Sequence, residues 1–224
     1  MGYYIDLEKI STGEYRDKLE SAYLPPSRMI LKEKLDERFG HLNDMGIRNV
    51  KELLQLLRKK DKFAELQKTS CFSGEYLTVL LRELNSLLPK PNKVGDFPGV
   101  SNDTVMALEE LGIKDTLKLF DKVLTPESRA ELAQLTGISA SEVLKLAKFT
   151  DLSRIKWVGV SFANMLCQTG FDTVEKLADA DPVWLHEKIN QVNKENSFYK
   201  GQIGLNDMKI VVETAKEVPV QIKF

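Results

Sequence analysis

The chain has 224 residues, 42% of them hydrophobic and 29% charged, with 32 basic against 33 acidic side chains and a formal net charge of −1. That length can bury a sizeable core in one or two domains, and the composition is that of a soluble globular protein. The near-neutral balance counts against a protein that coats nucleic acid by bulk charge, though not against a local phosphate-binding turn.

No apolar run is long enough to span a membrane. The N-terminus Met1-Gly2-Tyr3-Tyr4-Ile5-Asp6 lacks the basic-then-apolar pattern of a secretion signal, and Asp6 argues against myristoylation. A cytoplasmic protein is expected. Two cysteines, Cys71 and Cys167, and two histidines, His41 and His186, are each isolated. They predict packed thiols in a reducing compartment and neither a metal site nor a cofactor. His186 beside Glu187 has no nucleophile to serve, so the expected protein is non-catalytic and takes no small-molecule substrate.

In chain order, Tyr3–Leu7 favours β structure, and Ser11 to Ala22 predicts a helix capped by Ser11 or Thr12. Next comes the first copy of a repeated motif, Met45-Gly46-Ile47-Arg48-Asn49-Val50-Lys51-Glu52-Leu53. It returns as Leu111-Gly112-Ile113-Lys114-Asp115-Thr116-Leu117-Lys118-Leu119 and again as Thr169-Gly170-Phe171-Asp172-Thr173-Val174-Glu175-Lys176-Leu177. Self-similarity of this kind signals duplication of one supersecondary unit. Glycine supplies a left-handed helix end, the residue three on caps the next helix, and the leucine seven on anchors the core. The first two copies stay in register past the motif, Ser73 falling on Ser139.

Asn85 to Val94, with two prolines, predicts a linker that divides the chain into residues 1–92 and 93–224. Phe97-Pro98-Gly99-Val100-Ser101 pairs with Trp157-Val158-Gly159-Val160-Ser161, each read as a turn in which Gly bends, Val plugs the core and Ser caps. Trp157 and Trp184 hold apolar positions and predict core packing. Asn193 to Asn206 is a polar loop carrying Phe198-Tyr199-Lys200, and Asn206 to Glu217 a last amphipathic helix. Val218 to Phe224 again favours β structure and would pair with Tyr3–Leu7 as a two-stranded ribbon.

An apolar-x-Gly-Val-(Gly or Ser) turn between short helices resembles the helix-hairpin-helix superfamily. The run Thr136-Gly137-Ile138-Ser139, then Asp151-Leu152-Ser153-Arg154-Ile155-Lys156-Trp157-Val158-Gly159, is similar to a bacterial tandem helix-hairpin-helix domain family of unknown function. So is Gly170-Phe171-Asp172-Thr173-Val174-Glu175-Lys176-Leu177-Ala178 with Asp181-Pro182. The likeness covers roughly residues 95–215; the N-terminal copy is a drifted version.

This resemblance implies an all-α fold of two or three tandem helix-hairpin-helix units, and a DNA backbone held by turn amides at a helix N-terminus without base reading. Carried over by residue, the candidates are Gly99, Val100, Ser101 and Gly159, Val160, Ser161. Serine stands where the second glycine of the pattern lies, and its Cβ crowds a phosphate. Lys145, Lys148, Arg154 and Lys156 make the neighbourhood basic, whereas Asp172, Glu175, Asp179, Asp181 and Glu187 make the far side acidic. The expected function is a non-catalytic module that meets DNA backbone. The alternative is a scaffold docking a partner protein, with no nucleic-acid role.

Overall fold

A computed structural model describes residues 2–224. The chain is all-α and divides into two compact units, one formed by Ile5–Leu88, the other by Pro89–Phe224 together with the residues up to Tyr4.

The Ile5–Leu88 unit holds α1 (Thr12–Ser21), a 3-10 turn (Pro26–Lys32), α2 (Leu35–Asp44), α3 (Val50–Arg58), α4 (Lys60–Leu66) and α5 (Gly74–Ser86). Ser11 caps α1 and Glu14 reaches back to the Ser11 N–H at 2.8 Å, a reciprocal capping box. Tyr15, Leu42, Leu53, Tyr76 and Leu80 form the centre of the core. The buried Arg38 guanidinium lies 3.7 Å from the centre of the Tyr76 ring and donates to the Cys71 and Glu33 carbonyls at 2.9 and 2.6 Å.

The larger unit holds α6 (Asn102–Glu110), α7 (Thr116–Phe120), α8 (Pro126–Thr136) and α9 (Ala140–Leu152). After these come α10 (Val160–Thr169), α11 (Val174–Ala178), α12 (Pro182–Asn196) and α13 (Leu205–Lys216). Its core gathers Leu108, Leu119, Phe149, Leu152, Leu166, Leu177 and Ile189. Phe97 stacks on Phe149 with ring centres 4.4 Å apart.

Helix, glycine turn, short helix and two further helices follow one another three times: α2–α5, α6–α9 and α10–α13. Gly46, Gly112 and Gly170 adopt φ of 84°, 74° and 87°, a region that a Cβ makes costly. Asn49, Asp115 and Thr173 each accept, through the side chain, the N–H three residues on. Leu53, Leu119 and Leu177 are fully buried one turn further. Even the first amide of each short helix is satisfied from outside: Val50 donates to the Ile10 carbonyl and Thr116 to the Asn92 carbonyl, both at 2.9 Å. In the third set Val174 donates instead to the Asp151 carboxylate, at 2.8 Å.

No strand forms among the described residues; there are isolated bridges at Ser11–Asn49 and Lys93–Asp115. The terminal ribbon expected from sequence is therefore replaced by another device. Arg154 donates from Nε to the Tyr3 carbonyl at 3.1 Å and from a terminal nitrogen to the Pro219 carbonyl at 2.7 Å. A side chain, not a ladder, joins the two ends. The Tyr3 ring packs edge-on to Phe120, and its hydroxyl lies 2.8 Å from that of Thr116.

Candidate functional site

Both predicted turns exist, but their registers differ from the pairing expected. Ser101 caps α6, accepting the Thr104 N–H at 3.1 Å, whereas α10 is capped at Gly159, two residues earlier in the motif. The left-handed residue is Gly99 (φ 75°) in the first turn and Trp157 (φ 68°) in the second. Gly159 itself is extended, at φ −90° and ψ 178°. The positions that correspond are thus Gly99 with Trp157 and Ser101 with Gly159. Ser161 does not cap; it lies inside the first turn of α10, exposed. The repeated Gly-Val-Ser letters hid a slip of two residues.

The basic side chains do not converge on an outward face. Arg154 is buried, ion-paired to Asp151 at 2.9 Å and committed to the Tyr3 and Pro219 carbonyls, so it is withdrawn from any surface phosphate. Burial pushes the Asp151 carboxyl up from the usual carboxylate range, further than the Val174 amide and Arg154 pull it down. Lys148 is paired with Asp172, which also accepts from Lys176 at 2.7 Å. Lys145 donates to the Gly99 carbonyl at 3.0 Å and lies 3.8 Å from Glu142. Lys156 is nearly buried, its Nζ 4.1 Å from the centre of the Trp157 ring. Around the first turn, Gly99, Ser101, Asp103, Ser139 and Glu142 line a polar hollow of ≈ 360 Å³. Its helix N-termini already have serine caps and carboxylates in their first turns, so the positive pole there is compensated.

The second turn borders something different. Trp157, Ser161, Phe162, Met165, Tyr199 and Met208 are among the residues lining a largely apolar pocket of ≈ 310 Å³ between α10, α13 and the segment after α12. Val100 and Val160 pack partly buried against the core.

Neither tryptophan is a core residue. Trp157 is 44% and Trp184 53% exposed, and Tyr199 is 60% exposed. Trp157 follows its turn outward, and Trp184, in the first turn of α12, meets Phe171 edge-on. The polar loop is shorter than predicted because α12 continues to Asn196. The loop's anchors, Asn190 and Asn193, both lie inside α12; sequence patterning begins the loop at Asn193 and gives neither asparagine an anchoring role, because their partners at Tyr199, Gly201 and Ile203 are set by the fold.

Cys167 is half-buried, and burial pushes its thiol up to about 12, which makes it a poor nucleophile. Among the described residues no cluster of His, Cys, Asp and Glu could hold a metal ion, and no helix is long and apolar enough to cross a membrane.

A family model described as a domain of unknown function (DUF4332) matches residues 98–218, more than half of the chain. No curated protein and no solved structure matches it.

Proposed function

We propose, for a chain that belongs to the DUF4332 family of domains of unknown function, a non-catalytic binding module that docks onto another protein. The observation that carries this reading is the fate of the cations. Arg154, Lys148 and Lys145 are committed to Asp151, Asp172 and the Gly99 carbonyl inside the unit. Strong backbone binding to DNA needs several cations presented to phosphates together. What the unit presents instead is apolar: Trp157, Trp184, Val183 and Tyr199 all carry large exposed surface. Tryptophan and tyrosine dominate the energetic centres of protein interfaces.

One observation favours a second reading, in which the turn acts as a helix-hairpin-helix phosphate contact. The N-terminus of α10 has no side-chain cap and no acidic residue in its first turn, so no side chain there offsets the positive pole of the helix, and Lys156 precedes it closely in the chain. The two readings separate in a salt titration. A phosphate-binding turn gives DNA affinity that falls steeply between low and physiological salt and is weakened by Lys156→Glu. The interaction module gives weak DNA binding that Lys156→Glu leaves unchanged. Tight, steeply salt-dependent binding to DNA would sink the protein-docking reading.

A further inference from the structure

We infer that the ≈ 310 Å³ pocket beside the 155–161 turn receives one bulky apolar side chain from a short segment of a partner protein, held between the rings of Trp157 and Tyr199. This rests on the interaction reading above and gives it a site. Phe162, Met165, Met208 and Val211 make the lining apolar. Methionine adapts to ligands of different shape, and a concave apolar hollow with a few polar groups at its mouth is the usual form of a ligand site.

Both aromatic walls are held by features that the fold alone does not require. Trp157 occupies the left-handed region, where the matching turn uses Gly99. A bulky residue there is strained by roughly 1–2 kcal/mol, and such strain gathers at ligand sites. Tyr199 belongs to a segment without regular structure that two helical asparagines organise. Asn193 donates to the Tyr199 and Gly201 carbonyls at 3.1 and 3.0 Å and accepts the Tyr199 N–H at 2.7 Å. Asn190 donates to the Ile203 carbonyl at 3.0 Å and accepts the Ile203 N–H at 3.1 Å. These bonds order in advance the backbone that carries Tyr199, and Tyr199 remains 60% exposed. A loop ordered before binding lowers the entropy that binding costs.

Charge selects the class of occupant. Lys156 and Asp207 are the charged side chains in the lining, one of each sign. The Asp207 carboxylate already accepts the Gly204 N–H at 3.0 Å, at the start of its own helix. A polyanion would find no excess of positive charge here, whereas an uncharged apolar side chain on a peptide meets an apolar floor and two aromatic walls.

The full chain is panned against a displayed library of random dodecapeptides, and recovered peptides are then titrated by fluorescence in the same chain carrying Trp184→Phe, in which Trp157 is the single tryptophan. The expected peptides share one bulky apolar residue and shift the Trp157 emission to the blue. Replacing that residue by alanine, or introducing Tyr199→Ala in the chain, weakens binding by about tenfold or more. Tyr199 is exposed, so its replacement leaves the fold intact. Peptides that bind Tyr199→Ala equally well and leave Trp157 unmoved would overturn the pocket while keeping the interaction reading. Failure to enrich any peptide would overturn the pocket. Oligo-dT shifting the Trp157 emission in its place would overturn the interaction reading as well.

Discussion

The Asp151 carboxylate accepts the Val174 amide at 2.8 Å, doing for the third set of helices what the Ile10 and Asn92 carbonyls do for the first two. A charged side chain thus fills the role of a backbone group in a buried place, and Arg154, 2.9 Å away, supplies the countercharge. Asp151→Asn keeps an oxygen for Val174 but leaves the guanidinium buried without its partner. Removing one member of a buried pair costs about 3–5 kcal/mol, and urea unfolding of the larger unit should show a loss of that order. A variant as stable as the parent would mean that Arg154 is satisfied by the Tyr3 and Pro219 carbonyls alone.

Glycine substitutions should divide by backbone geometry. Gly112→Ala forces a Cβ onto φ 74° and should destabilise by about 1–2 kcal/mol. At Gly99 the same change also brings a Cβ to 3.2 Å from Lys145 Nζ. Gly159, extended and with nothing near its missing Cβ, should accept alanine within about 1 kcal/mol. Chemical denaturation of the three variants side by side checks the order.

Asp172 sets an acid limit. Burial alone would raise its carboxyl, but hydrogen bonds and charge from Lys148 and Lys176 outweigh it and hold the carboxyl below the usual carboxylate range. A lowered folded value contributes stability that is complete above the unfolded value, about 4, and is lost as pH falls through the folded one. Asp172→Asn should therefore flatten the decline of the urea midpoint on acidification below about pH 5. A decline as steep as the parent's would assign the acid sensitivity to other carboxylates.

The helices were legible because their end signals are local. Asn49, Asp115 and Thr173 cap where spacing placed them, Leu53, Leu119 and Leu177 are buried as the anchor position requires, and Ser11 opens α1. The candidate site was less legible because it depends on contacts far apart in sequence. Nothing beside Arg154 in the chain announces Tyr3 and Pro219, 151 and 65 residues away. Matching the Gly-Val-Ser letters aligned Gly99 with Gly159, when backbone geometry aligns it with Trp157. Tryptophan at a glycine position is invisible to a search for glycines.

The shared hold of Arg154 on both chain ends has a practical corollary for anyone trimming this protein. Ile5–Leu88 is threaded into the covalent path of the other unit, so the piece recognised by the family, residues 98–218, contains the guanidinium but neither Tyr3 nor Pro219. Excising that piece strips the guanidinium of two of its oxygen acceptors and of the segments that carry them. The stretch that defines kinship and the stretch that completes the surroundings of Arg154 are different lengths of the same polypeptide.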